Sequence, residues 1–108
     1  MNHWVVVTLV TLLTLPASLT FAQTTNAMLS GTVIDRGGAV VPNAQITFEN
    51  VETGIVLTTR SNEAGVYLFP NIQPGLYRLT AELPGFKKYV MSDVRVAGGA
   101  RMNINVPL

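Results

Sequence analysis

The sequence predicts an all-β fold, a seven-stranded antiparallel β-sandwich of two sheets, and three observations lead there. First, Tyr77, Leu79, Ala81 and Leu83 alternate with Arg78, Thr80 and Glu82 between two turn signals, Pro74-Gly75 and Pro84-Gly85. Proline fixes φ for the second residue of a turn, and the glycine after it takes the positive φ that type II geometry requires. Strict alternation between such turns describes a strand with one face in a core and the other in water. Second, from Leu29 onward turn signals recur about every eight to twelve residues, the spacing of a sandwich. Third, no helical period of apolar residues occurs in that stretch.

Taken in order, the chain opens with an address. Val5 to Leu15 is an apolar run interrupted only by threonines, ended by Pro16 and followed by small and polar residues. A bilayer span takes about 20 apolar residues, so the run suits the h-region of a secretory signal covering residues 1–22, drawn as a helix if at all, with cleavage between Ala22 and Gln23. The leading Met-Asn-His-Trp lacks Lys and Arg, which is off pattern for a signal; an uncleaved anchor or a different start site are the alternatives. Residues 23–27 read as a flexible lead-in. Leu29, Gly31 and Val33 begin the first strand, and Asp35-Arg36-Gly37-Gly38 turns it. Ala44, Ile46 and Phe48 form the inward set of the second strand. Glu52-Thr53-Gly54 leads to a β-branched third strand, Ile55 to Ser61. After Asn62-Glu63-Ala64-Gly65 a short fourth strand runs from Val66 to Phe69 and stops at Pro70. Tyr77–Leu83 is the fifth. In the sixth, within Lys87–Val96, Val94 and Val96 point inward and Ser92-Asp93 interrupts. Gly98-Gly99 turns into the seventh, where Met102, Ile104, Val106 and Leu108 alternate with polar residues, so that residues 28–108 read as one module.

Composition excludes much chemistry. The 108 residues contain seven basic and six acidic side chains, which leaves no clustered basic face for nucleic acid. There is no cysteine, so disulfides and thiolate nucleophiles are absent. The one histidine, His3, lies in the signal, so a Ser-His-Asp arrangement and the usual zinc sites have no ligand in the module. Asp35, Glu49, Glu52, Glu63, Glu82 and Asp93 fall in turns or on outward faces, whereas a catalytic acid needs a desolvated pocket. A calcium loop would use such carboxylates, but no dense Asp-x-Asp spacing occurs, and Asp35 and Asn62-Glu63 are better placed to bond their own turns. The reading is therefore of a non-enzyme with no cofactor and no metal. Trp4 also lies in the signal. Phe48, Tyr67, Phe69 and Tyr77 fit inward positions, which leaves Phe86, Lys87, Lys88 and Tyr89 as a basic-aromatic corner able to meet a partner or a glycan, or simply to cover the end of the sandwich.

Three groups of residues then resemble a known family in that family's order. They are Leu29-Ser30-Gly31-Thr32-Val33-Ile34-Asp35 with Gly38–Ala44, Asn62–Phe69 with Ile72–Tyr77, and Pro84-Gly85-Phe86-Lys87-Lys88. They look like the carboxypeptidase regulatory-like domain. The resemblance implies a transthyretin-like, Greek-key sandwich that is not itself the peptidase. A signal followed by this module is similar to the N-terminal extension of TonB-dependent, Oar-like outer-membrane receptors. That likeness implies export to the periplasm or outer membrane, or secretion, with the rest of a receptor or another protein as partner. Related adhesin domains form an isopeptide from a Lys on an early strand; the first two strands here contain none. The expected function is a non-catalytic structural or interaction module, working through sheet edges and loops. The alternative is a carbohydrate-binding module, which the aromatic count does not favour.

Overall fold

The alternation read along Leu29–Val33 resolves, in a computed structural model that describes residues 25–108, into the first of eight strands. These are β1 (Ala27–Ile34), β2 (Gln45–Asn50), β3 (Val56–Arg60), β4 (Val66–Ile72), β5 (Gly75–Glu82), β6 (Tyr89–Val96), β7 (Arg101–Asn103) and β8 (Val106–Pro107). The expected signal and the Ala22–Gln23 junction lie outside the described residues. One sheet has the order β4-β1-β7, with β8 also on β1; the other has the order β3-β2-β5-β6. The two stack as a sandwich.

Three expectations need correction. The last strand is two short strands, and both run parallel to β1. The sandwich is therefore not wholly antiparallel. The break comes from a close approach. Gly31 has no side chain, and a Cβ there would stand 1.8 Å from the Ile104 carbonyl oxygen. That carbonyl turns toward β4 and accepts the Tyr67 hydroxyl at 2.6 Å, while Asn105 Oδ1 takes the Thr32 N–H at 3.2 Å. Side chains thus complete the ladder where the backbone leaves it. Second, Pro70 does not stop the fourth strand. β4 pairs only with β1, so it is an edge, where a residue without an N–H is tolerated. The register also slips there: Leu29 faces Phe69 but Ala27 faces Ile72, an extra residue that lets Pro70-Asn71 bulge. Third, Ala27, assigned to the lead-in, is the buried first residue of β1.

The expected interruption at Ser92-Asp93 is a bulge. Tyr77 faces Val94 and Leu79 faces Met91, and Asp93 takes the extra step with φ of 58°. The inward sets close the core: Leu29, Val33, Ile46, Phe48, Ile72, Leu79 and Val106 are fully buried. At its centre Phe48 of β2 stacks on Tyr77 of β5, with ring centres 4.3 Å apart and planes 4° from parallel, and meets Phe69 of β4 at 5.8 Å. Tyr67 stands edge-on to Phe69 at 6.2 Å. These four rings join the two sheets. Each buried side chain of this size contributes roughly 1.5–3 kcal/mol.

Candidate interaction surfaces

With the space between the sheets filled by rings, the accessible concavities lie at the two ends of the sandwich. One end carries the turn at Asp35–Gly38, the β5–β6 loop and Leu108. The other carries the β2–β3 hairpin, the β4–β5 turn and the residues leading into β1.

The predicted corner lies at the first end, and the structure divides it. Phe86 and Lys88 border a shallow groove of about 590 Å³ with Asn43, Arg60 and Glu82. Lys87, Lys88 and Tyr89 border another with Arg36 and Val90. Phe86 is exposed, whereas Tyr89 is half-buried and packs against the core. Lys88 Nζ lies 3.2 Å from Glu82 Oε1, an exposed pair that solvent screens. Asp35 is occupied by its own turn, its Oδ1 accepting the N–H groups of Gly37 and Ala39, both at 2.9 Å. Asn62 Oδ1 does the same for Ala64 and Val66. Nearby, the buried Ser61 hydroxyl donates to the Val41 carbonyl and accepts the Ala44 N–H, each at 2.8 Å. It bridges the Pro42-Asn43 turn, in which Asn43 takes φ of 62°. Among the titratable groups, the Tyr67 phenol is pushed well above its ordinary value, first by burial and then by the neighbouring Tyr89.

The second end was not singled out from the sequence. Asn50 continues the inward parity of Ala44, Ile46 and Phe48, and it is 5% exposed. Its Oδ1 accepts the N–H groups of Glu52 at 2.9 Å and Thr53 at 3.0 Å, capping the hairpin. Asn50 borders a pocket of about 210 Å³ with Asn26, Asn71, Gln73, Ile55 and Leu57. Tyr77, directly opposite Asn50 in the ladder, forms its inner wall and donates its hydroxyl to the Gln73 carbonyl at 2.6 Å. The signal was legible: an asparagine in an inward slot is a buried polar group in need of a purpose. Among the described residues no three His, Cys, Asp or Glu side chains converge.

The family model of the carboxypeptidase regulatory-like domain matches residues 28–108, nearly everything the structure describes. The chain belongs to the carboxypeptidase regulatory-like domain family. No curated protein matches it. Several solved structures share the fold of this carboxypeptidase regulatory-like domain. The dioxygenase domain of a dioxygenase–carbohydrate-binding fusion from the cellulolytic bacterium Streptomyces sp. SirexAA-E is 13% identical, with a TM-score of 0.58 over 81% of this chain and 82% of that one. A candidate carbohydrate-binding protein from Bacteroides uniformis is 18% identical, with a TM-score of 0.63 over 77% of this chain and 41% of that one. Another, from Pseudomonas aeruginosa, is 14% identical, with a TM-score of 0.55 over 80% and 90%. At these identities the likeness is one of fold. The same sandwich carries dioxygenases and candidate sugar binders, so function has to be argued from this chain's own surfaces.

Proposed function

We propose that this carboxypeptidase regulatory-like domain is a non-catalytic binding and structural module of an exported protein, and specifically the N-terminal accessory domain of a TonB-dependent-receptor-like outer-membrane protein. The observation that carries the non-catalytic reading is the four-ring cluster of Tyr67, Phe69, Phe48 and Tyr77. It fills the space between the two sheets, and the described carboxylates stand in turns and on outward faces. The export reading rests on the apolar run and small-residue exit of residues 1–22.

Two measurements test this. Expression of the full chain in a Gram-negative host, with N-terminal sequencing of the fractionated protein, should find a periplasmic species beginning at Gln23; cytoplasmic full-length protein would overturn the export reading. Incubation of the purified protein with peptide and glycoside panels, and with catechol in the presence of iron, should yield no turnover above buffer. Saturable turnover abolished by substitution of one side chain would overturn the non-catalytic reading. A second reading, a carbohydrate-binding module, is favoured by the uncharged, carboxamide-lined pocket at Asn50.

A further inference from the structure

Asn50 presents an asymmetry. Its carboxamide oxygen is fully used by the hairpin, yet its Nδ2 makes no hydrogen bond among the described residues. The residue is 95% buried, held inside by the hairpin bonds to its oxygen. The nitrogen is not sealed in protein, and Asn50 is one of the residues that line the pocket. Gly75 leaves room for it: a Cβ at that position would stand 2.8 Å from Nδ2 and force the carboxamide to shift. Three further carboxamides, of Asn26, Asn71 and Gln73, line the same pocket, and its apolar side is Ile55 and Leu57. No charged side chain lines it.

This donor set selects a ligand class. A carboxamide offers both donors and acceptors, as does every hydroxyl of a sugar, so four of them match a ring bearing several hydroxyls. An ionic ligand would leave water without meeting a counter-charge. The pocket is smaller than the roughly 300–1,000 Å³ that holds a drug-sized molecule, so it takes one ring, not a chain. The apolar wall suits the C–H face of that ring. We propose that this pocket recognises the terminal residue of a neutral glycan, with Asn50 Nδ2 as the free donor that fixes the ring and Gly75 as the residue whose missing side chain leaves that carboxamide in place. The proposal rests on the binding-module reading and names its ligand class.

The test is a titration of the full, uniformly ¹⁵N-labelled chain with neutral trisaccharides of glucose, mannose, galactose and xylose, and with triglycine amide as the peptide counterpart. One sugar should produce saturable shifts of the Asn50, Asn71 and Gln73 side-chain amide signals and of the Ile55 backbone amide. Asn50→Asp keeps the oxygen that caps the hairpin and removes the donor, and it should weaken binding about 5- to 10-fold, the loss of one well-made bond. Gln73→Ala alters only an exposed side chain, keeps the carbonyl that Tyr77 uses, and should weaken binding less. Gly75→Ala, which forces the Asn50 carboxamide to shift, should weaken binding more than Gln73→Ala does. Lys88→Ala, at the far end, should leave affinity unaltered. Shifts confined to Phe86–Tyr89, binding of triglycine amide alone, or no shift at millimolar sugar would each overturn the proposal, and the last would leave the binding-module reading intact. Turnover of a bound sugar would instead overturn the non-catalytic reading while sustaining the site.

Discussion

The two ends of this sandwich are built from opposite materials. At the Phe86 end, Arg36, Lys87, Lys88, Glu82 and one exposed ring stand in open water, and the backbone beneath them is held by Asp35, Ser61 and Asn62. At the Asn50 end charge is missing from the pocket, and the polar groups that line it are carboxamides, one of them buried. The first end advertises itself in sequence, because charge beside an aromatic residue is easily noticed. The second is concealed by parity: Asn50 reads as the polite end of a strand until Phe48 and Tyr77 are seen to hold it inside. The comparison teaches that the surface most conspicuous in a sequence need not be the one most constructed in the fold.

That contrast can be broken or sharpened by substitution, beginning with what holds the two ends in one body. Gly31→Ala would drive a methyl into the Ile104 carbonyl and the Tyr67 ring, and we expect a loss of about 3 kcal/mol, the upper end of overpacking effects, measured by urea unfolding. A loss below about 1 kcal/mol would show that β7 and β8 can slide along β1. Next, Ser61→Ala strips two buried bonds from the Phe86 end and should cost about 2 kcal/mol. Asn50→Ala, which strips two from the hairpin cap, should cost about 1–2 kcal/mol. Equal sensitivity would mean that both ends are anchored alike beneath unlike surfaces.

Tyr67→Phe should cost about 1 kcal/mol near neutral pH through loss of the bond to Ile104. It also carries a pH signature. Because the folded phenol ionises at higher pH than the unfolded one, the unfolded state sheds the proton first as pH rises past about 10. Stability is thus intact below that point and falls above it, and Tyr67→Phe should flatten the alkaline fall in melting temperature. Smallest of all, Lys88→Ala or Glu82→Ala should change stability by under about 0.5 kcal/mol, since the pair is exposed. A larger effect would mean that the Phe86 end is more ordered than its open geometry implies.

Most of the strand order was legible because the inward residues alternate so cleanly: Ala44-Ile46-Phe48 and Tyr77-Leu79-Ala81 are buried as their spacing requires. The bulge at Asp93 was legible too, since two polar residues break the inward run. What could not be read was pairing direction. Met102, Ile104 and Val106 alternate the same way whether their neighbour runs with them or against them, and only the contact of Gly31 with Ile104 decides where the strand breaks. Pro70 misled for a related reason: a proline ends a central strand but not an edge, and edge status is a property of the assembled sheet. The basic-aromatic corner was found as a sequence neighbourhood, but loop geometry turns Tyr89 toward the core and Phe86 away from it.

One consequence follows from β1 lying between β4 on one side and β7 and β8 on the other. The first of the described strands has as its partners a strand from the middle of the module and the module's last two strands. Its sheet therefore cannot be completed until Val106 has emerged from the ribosome, and the edge of β1 that carries Val33 waits unpaired until then. Such distant pairing slows folding and prolongs the time a chain spends extended. Under the export route proposed above, that delay is an asset, because the sandwich would close only after passage through the translocation pore.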